Sequence, residues 1–272
     1  MIRFSNKYWA LILGGSSGFG LATAQKLARH GMNICIVHRD RKGAMKKIEP
    51  QFDQIRAEGV KLAAINIDAI SAEGRTKVLD ALKQEMGEEG KIRMLLHSIA
   101  LGNLKPIAPF DDSGKIFSNR QSLLDKEDFF GTIHAMGSNI VEWVQDIFQR
   151  QLFAEDARVL SLTSEGNRIA WRGYAAVSAA KSVLESVSRA MAVEFAPFGI
   201  RSNVIQAGIT DTAALQAIPG NLKMKSNAIA RNPFKRLTIP ADVADFIFLL
   251  CMDEASWVNG SLICVDGGEC IG

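Results

Sequence analysis

The chain has 272 residues, a length that suits one large domain or two smaller ones. Apolar residues make up 47% of the sequence and charged residues 22%, which excludes a mainly disordered chain. The net charge of +3 is too small to indicate nucleic acid or an anionic membrane surface, so we expect neither as a partner.

The four cysteines do not follow a metal-binding or redox spacing. A chain of this size needs no disulfides for stability, so we expect reduced thiols and no zinc site at Cys35, Cys251, Cys264 and Cys270. The first apolar run, Trp9–Leu13, is about as long as a strand and leads into glycines, unlike a signal peptide or a spanning helix. Together these features predict a cytoplasmic protein.

Short runs rich in Ile, Val and Leu alternate with amphipathic stretches of helical length. This alternation predicts an α/β fold of the Rossmann type: one doubly wound parallel sheet of about seven strands, with helices on both faces, in a single domain over residues 1–272. The predicted strands are Trp9–Leu13, Asn33–Val37, Leu62–Ile67, Met94–His97, Arg158–Thr163, Ser202–Gln206 and Leu262–Val265. The predicted helices are Phe19–His30, Ala44–Glu58, Ala72–Met86, Lys126–Phe153, Ala175–Phe195 and Ala241–Met252.

Two long stretches of mixed polarity, Leu101–Asp125 and Ala213–Leu237, interrupt the alternation. In an open α/β sheet such loops emerge at the carboxyl ends of strands, where ligands bind. We therefore expect both stretches to border a binding site.

A glycine-rich turn directly follows the first predicted strand. Its pattern is Gly14-x-x-x-Gly18-x-Gly20, and a predicted helix begins within it. Glycines permit a tight turn and let backbone N–H groups approach a pyrophosphate at the positive end of the helix. This context predicts a dinucleotide site with contacts from Gly14, Ser16, Ser17, Phe19 and Gly20.

Cations dominate the segment after the second strand, His38-Arg39-Asp40-Arg41-Lys42. Arg39 can pair with a ribose 2′-phosphate, which favours NADP(H), although Asp40 keeps NAD(H) open. Asp68 and Ala69, after the third strand, are expected beside the adenine. As an alternative, Asp68 serves only as a helix N-cap.

The chain resembles the short-chain dehydrogenase/reductase family over nearly its whole length. The matching pieces occur in the family's order: Gly14 to Gly20, Asp68, Ser164, Lys181, Asn203-Val-Ile-Gln-Ala-Gly208 and Val265-Asp-Gly-Gly268. Common members carry a Tyr four residues before the Lys, but Val177 stands there, and Tyr174 lies seven residues before Lys181.

The seven-residue spacing between Tyr174 and Lys181 resembles the spacing found in the enoyl-acyl-carrier-protein reductase branch of the family. His97-Ser98-Ile99-Ala100 and Ala207-Gly208 agree with the same branch. Seven helical residues span about two turns, so Tyr174 and Lys181 share one helix face at a distance of about 10.5 Å along the axis. The resemblance implies cofactor contacts from Ser98, Ile99, Ala100, Lys181, Gly208, Thr210 and Thr212.

The resemblance implies three catalytic residues. Lys181 holds the nicotinamide ribose and lowers the pKa of Tyr174, which reaches the substrate carbonyl. Ser164 either binds that carbonyl or satisfies backbone groups at a strand end. His134, in place of the family's usual Asn, is either a relay residue or a paired helix histidine.

The implied activity is NADPH-dependent reduction of the trans-2 double bond of enoyl thioesters in fatty-acid synthesis, by an enoyl-acyl-carrier-protein reductase. Two alternatives stay open: a reductase of 3-oxoacyl thioesters or another ketone, and a regulatory protein that binds NADP(H) without turnover. Acyl carrier protein or coenzyme A would carry the substrate. No metal is expected, and NADH stays open as the cofactor. The family implies a homotetramer with the two long helices at a dimer contact, and a wide core stripe is the alternative explanation of their surplus apolar residues. These residues are Ile140, Val144, Ile147 and Phe148 on the first helix and Ala179, Val183, Val187 and Ala190 on the second.

We expect residues 213–237 to form a mobile substrate lid, or alternatively two short surface helices. Its apolar residues suit an acyl chain: Leu215, Ile218, Leu222, Met224, Ile229 and Phe234. Its cations form a cluster that suits an acidic carrier protein or simply a solvated face: Lys223, Lys225, Arg231, Lys235 and Arg236.

Overall fold

The computed structural model describes residues 2–109, 123–218 and 220–272. Within these ranges seven strands form one sheet in the order β3-β2-β1-β4-β5-β6-β7, and every neighbouring pair is parallel. The strands are β1 Tyr8–Leu13, β2 Asn33–His38, β3 Leu62–Asn66, β4 Lys91–His97, β5 Phe153–Thr163, β6 Ile200–Ala207 and β7 Leu262–Val265. The predicted doubly wound Rossmann-type sheet is confirmed.

Helices cover both faces of this sheet. They are α1 Gly18–Arg29, α2 Met45–Ala57, α3 Ala72–Met86, α4 Lys126–Ile133, α5 Asn139–Gln149, α6 Ala175–Glu194, α7 Ala213–Gln216, α8 Asn221–Arg231 and α9 Pro240–Leu250. Alternate residues of β1 enter two separate cores: Ala10 and Ile12 pack towards α1, α2 and α9, whereas Leu11 and Leu13 pack towards α3, α5 and α6. Burial on both faces explains why the strands are continuous apolar runs.

The predicted helix Lys126–Phe153 is wrong at its end and interrupted in its middle. A π-helical turn, His134–Ser138, separates α4 from α5. Helix α5 stops at Gln149 because Gln151 adopts a left-handed backbone (φ +56°), and β5 already begins at Phe153. Leu152 is buried after the helix has ended, so an apolar residue there fits either pattern in the sequence.

The structure describes only part of the two long stretches, Leu101–Asp125 and Ala213–Leu237, that interrupt the predicted alternation. Of Leu101–Asp125, residues 110–122 lie outside the described residues. Residues 213–237 contain two short helices, α7 and α8, as the alternative prediction expects, and the mobility of a lid stays a prediction. Residue 219 lies outside the described residues. In the part of the chain that the structure describes, no helix has the length and apolar character to span a membrane.

A cluster of arginines fixes α9 at the end of the sheet opposite the glycine turn. Arg93 and Arg158 are buried, and both pair with Asp156, as does Arg201. The same two buried guanidinium groups donate to the last carbonyls of α9: Arg93 Nη2 to Cys251 O (2.9 Å) and Arg158 Nε to Leu250 O (2.8 Å). Cations at this end complement the helix dipole.

We expect Asp156→Asn to lower the free energy of unfolding by about 2–4 kcal/mol, because it leaves two buried cations without their shared carboxylate. Urea unfolding at pH 7 measures this change. The control is Asp80→Asn, which breaks an exposed pair with Arg150 and should cost less than about 1 kcal/mol. Equal losses in the two variants would contradict the role of the cluster.

The ion pairs of Asp156 also make the free energy of unfolding depend on pH. Burial alone would raise the pKa of Asp156, but the hydrogen bonds and charges of Arg158 and Arg93 outweigh burial and hold it below its usual value. The stabilisation is therefore present above the ordinary aspartate pKa of about 3.9 and is lost as the pH falls below it. The stability curves of the wild type and Asp156→Asn should converge in that acidic range.

Candidate active site

The glycine turn forms one end of a cavity of about 640 Å³ at the carboxyl ends of β1, β4, β5 and β6. Gly14 has φ +86°, and a Cβ there would lie 2.5 Å from the carbonyl oxygen of Ser98, so the turn packs closely against the end of β4. Gly18 (φ +53°) begins α1, whose first N–H groups have no partner within the helix. These free donors at a positive helix end suit a pyrophosphate.

The cavity collects predicted cofactor residues from four separate segments. Those that line it are Gly14, Ser17, Phe19, Ser98, Ile99, Ala100, Lys181, Gly208, Thr210 and Thr212. The others lie outside its wall: Ser16, Gly20, Arg39, Asp68 and Ala69. Gly20 has a packing role instead, because a Cβ there would lie 2.2 Å from the carbonyl oxygen of Gly14. The residues present therefore suit an extended dinucleotide that runs from α1 towards α6.

Arg39 and Asp68 face each other beyond this cavity, with Arg39 Nη1 and Asp68 Oδ2 3.5 Å apart. Both side chains are largely exposed. The expectation that Asp68 caps a helix is wrong: Ser71 caps α3 by accepting from Gly74 N, and Asp68 Oδ1 accepts from Ile70 N in the preceding turn. Asp40 lies within 2.9 Å of His38 Nδ1, so its carboxylate is already engaged.

Tyr174 and Lys181 line the same cavity from the first two turns of α6. Tyr174 is the residue before the helix, and its hydroxyl lies 3.4 Å from Ser164 Oγ. Lys181 is buried and donates from Nζ to the carbonyl oxygen of Leu162 (2.8 Å), near the end of β5. Ser164 follows β5 directly, so strand and helix together place the three side chains at one end of the cavity.

The pKa of Tyr174 differs from the expectation that Lys181 lowers it. Burial raises the pKa of Tyr174, opposed by the hydrogen bond between Tyr174 and Ser164, so Lys181 does not lower it in this structure. Burial also lowers the pKa of Lys181 to about 8, opposed by the charge of Glu185 one turn further along α6. Tyr174 is therefore a protonated hydrogen-bond donor at neutral pH, and Lys181 is a cation that loses its charge in mildly basic solution.

Polar groups continue behind Lys181, between α6 and the sheet. Glu185 is buried and accepts from Thr163 Oγ1 (2.8 Å) and Asn167 Nδ2 (2.5 Å). Burial, followed by the charge of Lys181, lowers the pKa of His97 to about 3, so this imidazole is neutral. The ammonium of Lys181 is therefore influenced by one carboxylate, that of Glu185, and by no second charge from His97.

Apolar side chains form much of the cavity wall, and Leu104, Met136 and Val177 pack in one cluster with Tyr174. The apolar side chains of the wall include Leu104, Met136, Ile169, Trp171, Val177, Leu215, Ile218 and Met224. Three of the predicted lid residues thus face the cavity, whereas Leu222, Ile229 and Phe234 are exposed. Gly166 lies under the Tyr174 ring, where a Cβ would approach Cε1 to 2.4 Å.

Arg231, the last residue of α8, ties three walls of the cavity together. Its Nη2 lies 2.5 Å from Glu165 Oε1 and 3.3 Å from Glu269 Oε1. Glu269 is 2% exposed, and its Oε2 accepts from Ile209 N (3.0 Å), the residue after Gly208. One ion-pair network therefore links α8 to the residues beside Ser164 and Gly208.

These contacts revise the predicted basic cluster of the lid. Arg231 faces the cavity, and Lys225 and Arg236 pair with Asp211 and Asp242. His134 pairs with Glu142 (2.8 Å) and does not line the cavity, which agrees with a paired helix histidine; Met136, from the same π-helical turn, lines it instead.

Several lining residues were missed by sequence reasoning. Ile169 and Trp171 lie between Ser164 and Tyr174, so the chain order already placed them near the site. Asp266 and Glu269 lie within or directly after the segment Val265-Asp-Gly-Gly268. Met136 gave no signal, because a methionine in an amphipathic helix is indistinguishable from a core residue.

We expect affinity for a reduced nicotinamide dinucleotide to fall as the pH rises through about 8, because Lys181 loses its charge there. Fluorescence titration from pH 6.5 to 9.5 measures the dissociation constant. Lys181→Met should bind more weakly at pH 7 and lose this inflection. An inflection near pH 8 that persists in Lys181→Met would assign it to another group.

Comparison with known proteins finds relatives that match nearly the whole chain. Residues 14–269 match the family model described as enoyl-(acyl carrier protein) reductase. The 1-cyclohexenylcarbonyl-CoA reductase of Streptomyces collinus is 27% identical over 263 residues, which cover 95% of this chain and 85% of that protein.

Two solved structures share the fold. Enoyl-[acyl-carrier-protein] reductase (NADH) from Aquifex aeolicus VF5 has a TM-score of 0.80 at 22% identity, over 97% of both chains. The 3-ketoacyl-(acyl-carrier-protein) reductase of Brucella melitensis, complexed with NADH, has a TM-score of 0.77 at 24% identity, over 97% of this chain and 98% of that one. The chain is an oxidoreductase that belongs to the short-chain dehydrogenase/reductase family and is related to its enoyl-(acyl carrier protein) reductases.

Proposed function

We propose that this protein is an NADPH-dependent enoyl-acyl-carrier-protein reductase that reduces the trans-2 double bond of enoyl thioesters in fatty-acid synthesis. One observation carries the proposal: Tyr174, seven residues before Lys181, lies beside Ser164 and packs with apolar residues of the cavity wall. The position four residues before Lys181, where ketone-reducing members of the family carry their Tyr, holds the buried and apolar Val177.

The residues around Tyr174 suit charge that develops on a thioester oxygen. The bound dinucleotide would supply a hydride to the β-carbon of the enoyl group. Tyr174 then donates a hydrogen bond to the enolate oxygen, and its raised pKa keeps that proton in place at neutral pH. Ser164 supports the phenol or donates to the same oxygen, while the apolar wall excludes water before the α-carbon is protonated.

In the proposed reaction, Lys181 would orient the cofactor. Its ammonium is fixed by the carbonyl of Leu162 and keeps two further N–H donors for a ribose hydroxyl. At the other end, the half-exposed Arg39 would pair with a 2′-phosphate, while Asp40 is engaged by His38 and would not bind the ribose hydroxyls. These contacts support NADPH over NADH.

A second candidate function is reduction of a ketone, such as a 3-oxoacyl thioester. The contact between Ser164 and Tyr174 favours it, because a serine and a tyrosine that converge on one point can also polarise a carbonyl. The third reading, a regulatory protein that binds NADP(H) without turnover, is opposed by the presence of both Tyr174 and Lys181 in one cavity.

The proposed partners are a thioester on acyl carrier protein or coenzyme A and further copies of this chain. Ile140, Val144 and Ile147 of α5 are buried in the core, so they do not need an interface. Ala190 and Val193 of α6 are exposed and would join a homotetramer contact. A cytoplasmic location remains part of this proposal.

The proposed phenol predicts that Tyr174→Phe lowers kcat for crotonyl thioester by about 10²–10³, or about 3–4 kcal/mol in barrier, because the enolate loses its donor. The assay follows NADPH oxidation, repeated with NADH and with acetoacetyl thioester. Tyr8→Phe is the matched control, since Tyr8 is the other tyrosine and lies in β1 away from the cavity. Its kcat should be unchanged.

Four outcomes of this assay, combined with a measurement of NADPH binding, would contradict parts of the proposal. Full activity in Tyr174→Phe would remove Tyr174 as the donor. Turnover of the ketone alone would establish the second candidate function, and NADPH binding without turnover of either thioester would establish the regulatory one. A higher kcat/KM with NADH than with NADPH would overturn the cofactor assignment alone.

A further inference from the structure

Two exposed cysteines and a buried aspartate meet at the carboxyl end of the edge strand. Cys264 is in β7, and Cys270 is in a short 3₁₀ turn, Glu269–Ile271. The two sulfur atoms and a carboxylate oxygen of Asp266 all lie within 4.8 Å of one another. The sequence spacing of these residues matches no metal motif, so the fold alone brings them together.

The carboxylate of Asp266 is already fixed in place by the backbone. Its Oδ1 accepts from Gly268 N (2.9 Å), and its Oδ2 accepts from Cys270 N (3.0 Å). Gly267 (φ +64°) and Gly268 (φ +82°) allow the sharp turn that returns the chain to Asp266. The arrangement thus resembles a ligand set whose oxygen donor is oriented by neighbouring N–H groups before any ion binds.

We propose that Cys264, Asp266 and Cys270 form a zinc-class metal site, with solvent completing the coordination. Two thiolates and one carboxylate suit Zn²⁺, whereas Mg²⁺ and Ca²⁺ prefer sites made only of oxygens. Zinc–sulfur bonds of about 2.3 Å in a tetrahedral site separate the sulfurs by about 3.8 Å, which the present geometry accommodates. On binding, each thiol releases its proton to solvent as its sulfur–metal bond forms.

A metal here would stabilise the turn that shapes the cavity wall. Asp266 and Glu269 both line the cavity, and Glu269 holds the N–H of Ile209. The ion would join β7 to the segment that carries Glu269, without touching Tyr174 or Lys181. The proposal therefore describes a structural site that is independent of the reaction catalysed.

The test uses the full-length protein, reduced and freed of metal with a chelator, then titrated anaerobically with Co²⁺. We expect one equivalent to bind with an intense near-ultraviolet thiolate-to-cobalt band, which one equivalent of Zn²⁺ removes. Cys264→Ser, Cys270→Ser and Asp266→Asn should each weaken binding at least tenfold. The two serine variants keep the buried Cys35 and Cys251 as internal controls for stray thiol binding.

A second readout separates a lost site from a lost fold. Zn²⁺ should raise the thermal midpoint of the wild type but not of Cys264→Ser, while the two proteins share one midpoint in chelator because Cys264 is exposed. A thiolate band that persists in Cys264→Ser would overturn the proposal. So would a wild type that forms a Cys264–Cys270 disulfide in air and, once reduced, binds no metal. Neither result bears on enoyl reduction.

Discussion

The arrangement of the cavity depends on how the buried ammonium of Lys181 is held. Its hydrogen bond to the carbonyl of Leu162 joins α6 to the end of β5, and this contact aligns Tyr174, at the start of the same helix, with Ser164, which follows the same strand. A buried cation needs compensation, and Glu185 provides it from one turn away. The lysine therefore fixes the helix to the strand, and in the proposed function the same group binds the cofactor.

Burial also determines the protonation state of the Tyr174 phenol. Because Tyr174 is shielded from water, its pKa rises and it acts as a donor, not as a phenolate. Leu215, Ile218 and Met224, from residues 213–237, line the same cavity. Arg231, at the end of α8, forms ion pairs with Glu165 and Glu269. In the proposed reaction, the apolar wall would reduce the access of water to the phenol, which would strengthen a hydrogen bond to a developing oxyanion.

The sequence predicted the sheet well because its strands are buried on both faces. Helix α3 and strand β7 have the predicted bounds, and Gly14 and Gly18 adopt the left-handed backbone that a phosphate-binding turn needs. The junction between α5 and β5 was wrong because Leu152 and Phe153 are apolar in either structure. Arg231 looked like a surface cation, since no periodic pattern reveals that Glu165 and Glu269, 66 and 38 residues away in the chain, lie beside it.

The most direct measurement of the central claim is the fate of the transferred hydride. Reduced cofactor deuterated at the transferable position is given to the enzyme with equal amounts of crotonyl and acetoacetyl thioesters, and the products are examined by NMR. If the protein reduces enoyl thioesters as proposed, we expect deuterium at the β-carbon of butyryl thioester and a solvent proton at its α-carbon. Deuterium mainly at the hydroxyl-bearing carbon of 3-hydroxybutyryl thioester would contradict it.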